Sequence, residues 1–152
     1  MNDVVKGMVA GAVATAVLSL VMVLMGTTGF EPQLELTRML LTLLGAPASL
    51  YALGWTLHAV IGLILGGVFA HIEPRLGVDT HLKGGVLYGV ITWLVVMLVV
   101  MPAVGEGYFG FGLSVFAPIV MLGLQVLYGA VLGWVYDRLQ PAHNPFTKHH
   151  PA

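Results

Sequence analysis

Four stretches of about twenty residues, nearly empty of Asp, Glu, Lys and Arg, constrain what this chain can fold into more than any motif in it. A helix rises about 1.5 Å per residue and a bilayer's hydrocarbon core is about 30 Å thick, so each stretch has the length of a membrane-crossing helix. The first runs from Gly7 to about Gly26, too long and too weakly flanked by basic residues for a cleaved signal peptide. The charge-free run from Met39 to Ile72 exceeds one straight crossing. Gly45-Ala46-Pro47 breaks it and sets the second span at about residues 48–70. The third, about 82–101, is entered through Lys83 and ended by Pro102. The fourth, about 117–136, carries Pro118 near its first turn, where a missing N–H costs nothing, and is closed by Asp137 and Arg138. The expected fold is an all-α integral membrane four-helix bundle in one domain over residues 1–140, with 141–152 a flexible cytoplasmic tail.

Composition agrees. The chain is 58% hydrophobic and 9% charged, against about 25% charged residues in soluble domains. Its net charge is −1 and it has no basic run, so it lacks the electrostatic footprint of a nucleic-acid partner. With no cysteine there is no disulfide, thiolate metal site or cysteine nucleophile.

Cationic flanks are retained on the cytoplasmic side of a membrane. Lys6, Arg75, Lys83, Arg138 and Lys148 all fall on one face of the four-span layout, and Arg38 alone on the other. Both termini are therefore expected in the cytoplasm, with Glu31 to Pro47 and Pro102 to Phe116 outside. In the first outer segment, Glu31, Glu35, Arg38 and Thr42 recur at helical spacing opposite Leu36, Leu40, Leu43 and Leu44. This predicts a short amphipathic helix over about 32–45, lying in the membrane interface or capping the bundle. The second outer loop interleaves glycine with aromatics around Glu106 and Tyr108, as an interfacial belt or a partner contact would.

The halves of the chain resemble each other. Lys6-Gly7 with Val9, Val13 and Thr15 matches Lys83-Gly84 with Val86, Val90 and Thr92 at an offset of 77, and His58-x3-Gly62-x3-Gly66-x2-Phe69 matches Gln125-x3-Gly129-x3-Gly133-x2-Tyr136 at an offset of 67. The layout predicts two parallel two-helix repeats about a pseudo-twofold axis along the membrane normal. Each span holds a Gly-x3-Gly pair: Gly7/Gly11, Gly62/Gly66, Gly85/Gly89 and Gly129/Gly133. With 20 glycines in 152 residues such pairs also arise by chance, so placement carries the weight. Gly7, Gly11, Thr15 and Ser19 form one stripe and Gly54, His58, Gly62, Gly66 and Ala70 another, both suited to close backbone approach in lipid, where van der Waals packing drives association.

Ionisable groups inside a membrane are costly and usually functional. His58 is the one candidate, with Gln125 as its repeat partner across the axis and Thr15 and Thr92 as further paired polar groups. They form either a small polar site for an ion, water or quinone headgroup, or interhelical hydrogen bonds worth about 0.6–2 kcal/mol each. A haem needs axial ligands on both sides of its ring, and His58 is alone at its depth, with His71 and His81 near the inner side. His143, His149 and His150 lie in the Pro-containing tail without metal-site geometry. No metal or cofactor is expected. Ser19 has no base near it in the sequence, and Glu106 is a lone carboxylate, so no catalytic residue and no enzyme activity are expected.

The aromatic-terminated His/Gln-x3-Gly-x3-Gly-x2-Phe/Tyr helix following a Lys-Gly helix, twice over residues 5–139, resembles small four-helix bacterial inner-membrane proteins grouped as domains of unknown function. The resemblance implies the fold and a bacterial inner-membrane setting, and supplies no site residues. The expected function is that of a non-enzymatic accessory or assembly subunit acting through helix packing. Its partners are the lipid bilayer and other membrane subunits or further copies of itself. A small transporter or channel with a polar site on the repeat axis is the alternative, and a haem- or quinone-binding redox subunit a second.

Overall fold

The computed structural model describes residues 1–26, 32–47 and 49–140, with backbone alone for 32–35. The expected tail at 141–152, with its three histidines, and the side chain of Glu35 lie outside the described residues. Among the described residues the chain is helical, with no strand. Its elements are α1 (Asp3–Gly26), α2 (Pro32–Leu43), α3 (Tyr51–Ile72), a 3₁₀ turn at Glu73–Arg75, α4 (His81–Val95) continued by a π-turn at Val96–Val100, the short α5 (Met101–Ala103), a 3₁₀ turn at Tyr108–Gly110, and α6 (Ala117–Leu139). Four helical segments, Asp3–Gly26, Tyr51–Arg75, His81–Ala103 and Ala117–Leu139, are long and apolar enough to cross a membrane, which marks a membrane protein.

Local chemistry explains the boundaries. Gly45 takes a φ of 62°, and the Ala46 N–H closes back onto the Leu41 carbonyl at 2.9 Å, so the Gly-Ala-Pro break ends α2 in a left-handed cap. Thr80 caps α4, its Oγ1 accepting from the Lys83 N–H at 3.2 Å. The π-turn has its own cause. Pro102 cannot donate to the Leu98 carbonyl, and its ring would crowd that carbonyl in a regular helix. The chain widens instead, and the Met101 N–H bonds back to the Val96 carbonyl, five residues earlier.

The helices associate as two close pairs, α1 with α3 and α4 with α6, with α1 also packed against α6. Ala10, Ala14, Phe69 and Leu132, all fully buried, fill the space between the pairs. A second cluster of Met39, Met97 and Met101, flanked by Trp93 and Phe109, closes one end. The α2 helix lies against α3 and α1. The face it buries departs from expectation in part: Leu36 and Leu40 are half-buried, with Leu36 against the core, but Thr37, Met39 and Leu41 are the buried residues and Leu43 and Leu44 are exposed. Gly54 of α3 explains this, because its missing side chain leaves room for Thr37. A contact with a polar residue has overridden the leucine pattern. Arg38 and Thr42 stay exposed, as expected.

Candidate functional site

The glycine pairs are brought together as close-approach seams. A Cβ on Gly7 or Gly66 would overlap a backbone carbonyl of the opposite helix, and Gly11 faces the Gly62 carbonyl in the same way. In the other pair Gly85 faces the Gly129 carbonyl, Gly129 the Gly85 carbonyl, Gly133 the His81 carbonyl and Gly89 the Gln125 carbonyl. The register corrects the sequence alignment of α1 with α4. Gly11 and Gly85 make the same contact, as do Gly7 and His81, and both are 74 residues apart rather than 77. Thr15, which abuts Gly62, therefore occupies the place of Gly89, which abuts Gly129, and not that of Thr92.

The polar candidates do not meet on an axis between the pairs. Gln125 and Thr92 stay within their own pair, whereas the Thr15 hydroxyl also interacts with the Tyr128 hydroxyl of α6. Gln125 Oε1 accepts from Thr92 Oγ1 at 3.4 Å across α4 and α6, and Thr92 also donates to the Tyr88 and Gly89 carbonyls. Thr15 Oγ1 donates to the Gly11 carbonyl at 2.8 Å. His58 faces α1 and lines a groove of about 200 Å³ with Thr15, Ala16, Ser19, Trp55 and Ala59. Its Nε2 is sealed from solvent and has no hydrogen-bond partner, while the Trp55 ring stands edge-on to the imidazole, centroids 5.9 Å apart. Ser19, which has no base near it in sequence, thus shares a groove with His58, although no hydrogen bond joins them. Without a third group to orient the imidazole, Ser19 and His58 do not make a nucleophile–base–orienter set. Among the described residues no group of three His, Asp or Glu side chains is placed to hold a metal ion.

Two residues passed over in the sequence tie the pairs together. The Tyr128 hydroxyl donates to the Gly62 carbonyl at 3.0 Å, and the Tyr88 hydroxyl to the Leu65 carbonyl at 2.9 Å. Both cross from the α4/α6 pair to α3. Their signal was present, since a tyrosine deep in an apolar helix must find a partner for its O–H. At the end of the bundle where α1 begins and α6 ends, Lys6 Nζ reaches Asp3 at 2.8 Å and Gln140 at 2.9 Å. His81 Nδ1 lies 2.7 Å from Glu73 Oε1, its ring edge-on to Tyr136. At the opposite end, Glu106 is half-buried and its backbone organises the glycine loop: its N–H bonds the Met101 carbonyl at 3.0 Å and its carbonyl accepts from Gly112 at 2.9 Å. Phe109 turns inward against Trp93, whereas Tyr108 remains 67% exposed.

No curated protein and no solved structure matches the chain. A family model does, over residues 1–146, and its description states no activity. By that match the chain belongs to the Family of unknown function (DUF6789).

Proposed function

We propose that the protein is a bacterial inner-membrane accessory or assembly subunit, with both termini in the cytoplasm, that works by presenting a rigid helical surface to a partner membrane protein. The observation that carries this is the contrast between interior and outer end. Inside, glycine seams lock backbone to backbone and leave no room for a Cβ. At the end that carries the glycine-rich loop, Phe116 and Ile119 stand about 70% exposed beside Phe111 and Val115. Exposed aromatic and aliphatic residues gathered at one end of a stiff scaffold suit contact with another subunit. The filled centre, with Phe69 and Leu132 fully buried, favours this role over a conduit along the bundle axis. The five-to-one distribution of Lys and Arg supports the orientation. The shared glycine contacts, at offsets of 74 and 67 residues, support descent from a duplicated helix pair.

Native electrophoresis of gently solubilised source membranes tests the role. A stoichiometric complex that is lost on Phe116→Ser with Ile119→Ser supports it, and migration as a free monomer overturns it. Cysteine labelling from the two sides of the membrane at Met1 and Tyr108 tests the orientation.

A further inference from the structure

We propose that the methionine cluster at the end of the bundle that carries the glycine-rich loop binds a soft monovalent metal cation, of the copper(I) and silver(I) class, through its thioether sulfurs. The inference stands apart from the accessory role, since it needs neither a partner protein nor an orientation in the membrane.

The first support is composition set against position. Among the described residues the buried members of this cluster are Met39, Met97 and Met101, and Met121 packs against them. In the larger cluster between the helix pairs, Met22 is the one methionine among eleven buried residues, and the rest are Ala, Leu, Phe and Tyr. A core that needs only filling is served by leucine, which loses less side-chain freedom than methionine when it is buried. The four methionines come from α2, from the π-turn and α5, and from α6, so tertiary folding gathers them from three parts of the chain. The second support is ligand chemistry. A thioether is a neutral, polarizable donor that favours soft cations over hard ones, and the chain has no cysteine to compete for them. Trp93 packs against the same cluster, held by its indole N–H donating to the Pro118 carbonyl at 3.0 Å, and indole is the side-chain ring that attracts a cation best. Glu106, whose N–H bonds the Met101 carbonyl at 3.0 Å, brings a negative charge to this end, which offsets part of the cost of burying a positive ion. The third is access. Met97 and Met101 are fully buried, but their cover is thin. The Met101 sulfur lies beneath Gly110 of the loop, where a Cβ would stand 3.2 Å from it, and Met121 at the edge is half-buried. A cation arriving from the loop side therefore meets Met121 first. The unbranched methionine side chain, with three rotatable bonds, can turn its sulfur to the ion without a shift of backbone.

The test uses the full chain in chloride-free detergent solution, isotope-labelled at its methionine methyl groups and titrated with silver nitrate. Calorimetry on wild type is expected to show one saturable site, and the methyl resonances of Met39, Met97, Met101 and Met121 should shift while those of Met8, Met22 and Met25 stay in place. Met97→Leu with Met101→Leu keeps side-chain volume, so it should retain helicity and cooperative melting while weakening silver binding about tenfold or more. Met121→Leu, at the half-buried edge, should weaken binding less and carries the test where the double variant does not fold. Met22→Leu should bind silver as wild type does. Four results overturn the inference: no saturable binding in wild type, shifts confined to methionines outside the cluster, affinity unchanged in both cluster variants, or displacement of silver by an equal concentration of magnesium nitrate.

Discussion

The two close helix pairs use one device and finish it differently. Both α1/α3 and α4/α6 approach through glycines whose missing side chains let one backbone touch the other's carbonyls. In α4/α6 the polar groups then close on themselves, Thr92 donating to Gln125. Tyr88 and Tyr128 spend their hydroxyls on carbonyls of α3. In α1/α3 the residue three before Thr92's register, Thr15, sits at the place of a glycine and turns its hydroxyl back onto its own helix. His58 is left without a partner beside a groove. A seam of small residues sets how close two helices come. Whether the pair is then sealed or open depends on the few polar side chains laid over it.

The comparison can be broken most forcefully at the seams. Gly66→Leu in the first pair and Gly133→Leu in the second both drive a branched side chain into backbone. Each is expected to cost about 3 kcal/mol or more, read as loss of the cooperative thermal transition in detergent. If one were tolerated, the two seams would not be equivalent. Next in size are the ties between pairs. Tyr128→Phe removes a buried donor to the Gly62 carbonyl and should cost about 1 kcal/mol in unfolding titrations, with Tyr88→Phe costing no more. The sharpest contrast is smaller. Gln125→Leu should destabilise by about 0.6 kcal/mol, because it strips Thr92 of its partner across the pair. His58→Leu should stabilise by a similar amount, because it removes an unpaired buried nitrogen. Midpoints moving in the same direction would show that the first pair is as satisfied as the second.

The smallest effect lies outside the helix pairs. Hydrogen bonds from Lys83 hold the exposed Asp79 carboxyl below its ordinary range. A depressed carboxylate pKa gives stability that is present above the unfolded value and lost as pH falls through the folded one. Asp79→Asn should therefore lower the midpoint slightly near neutrality, and the difference from wild type should fade as pH falls below about 4, in a pH series of thermal scans. A difference that persisted undiminished in acid would show that it does not come from the ionised carboxylate.

Much of the fold was legible residue by residue. Charge-free runs of bilayer length placed the four long helices, Pro118 and Gly45-Ala46-Pro47 marked true boundaries, and the Gly-x3-Gly pairs named the seams. What misled was anything that depended on which residue faces which. Matching Lys6-Gly7 to Lys83-Gly84 gave an offset of 77, close to one helical turn from the 74 that the contacts use, since shared letters do not report how far two helices have slid. The leucines of α2 pointed to one buried face, but the hollow at Gly54 selected Thr37. His58 and Gln125 were expected to face each other, yet each belongs to its own pair. Pro102 was expected to end the third span, but the helix widens into a π-turn ahead of it and continues to Ala103.

By itself, the sequence determined which segments are helices and which small residues let them touch, because both follow from local hydrophobicity and from the absence of a side chain at a given position. Only the tertiary structure decided the sliding register of each pair and, with it, which polar atoms found partners. A shift of one turn along an apolar helix changes little in its local preferences, yet it changes every carbonyl that a side chain on the neighbouring helix can reach. Gln125 Oε1 came out of that arrangement within reach of the Thr92 hydroxyl, and His58 Nε2 came out with no partner.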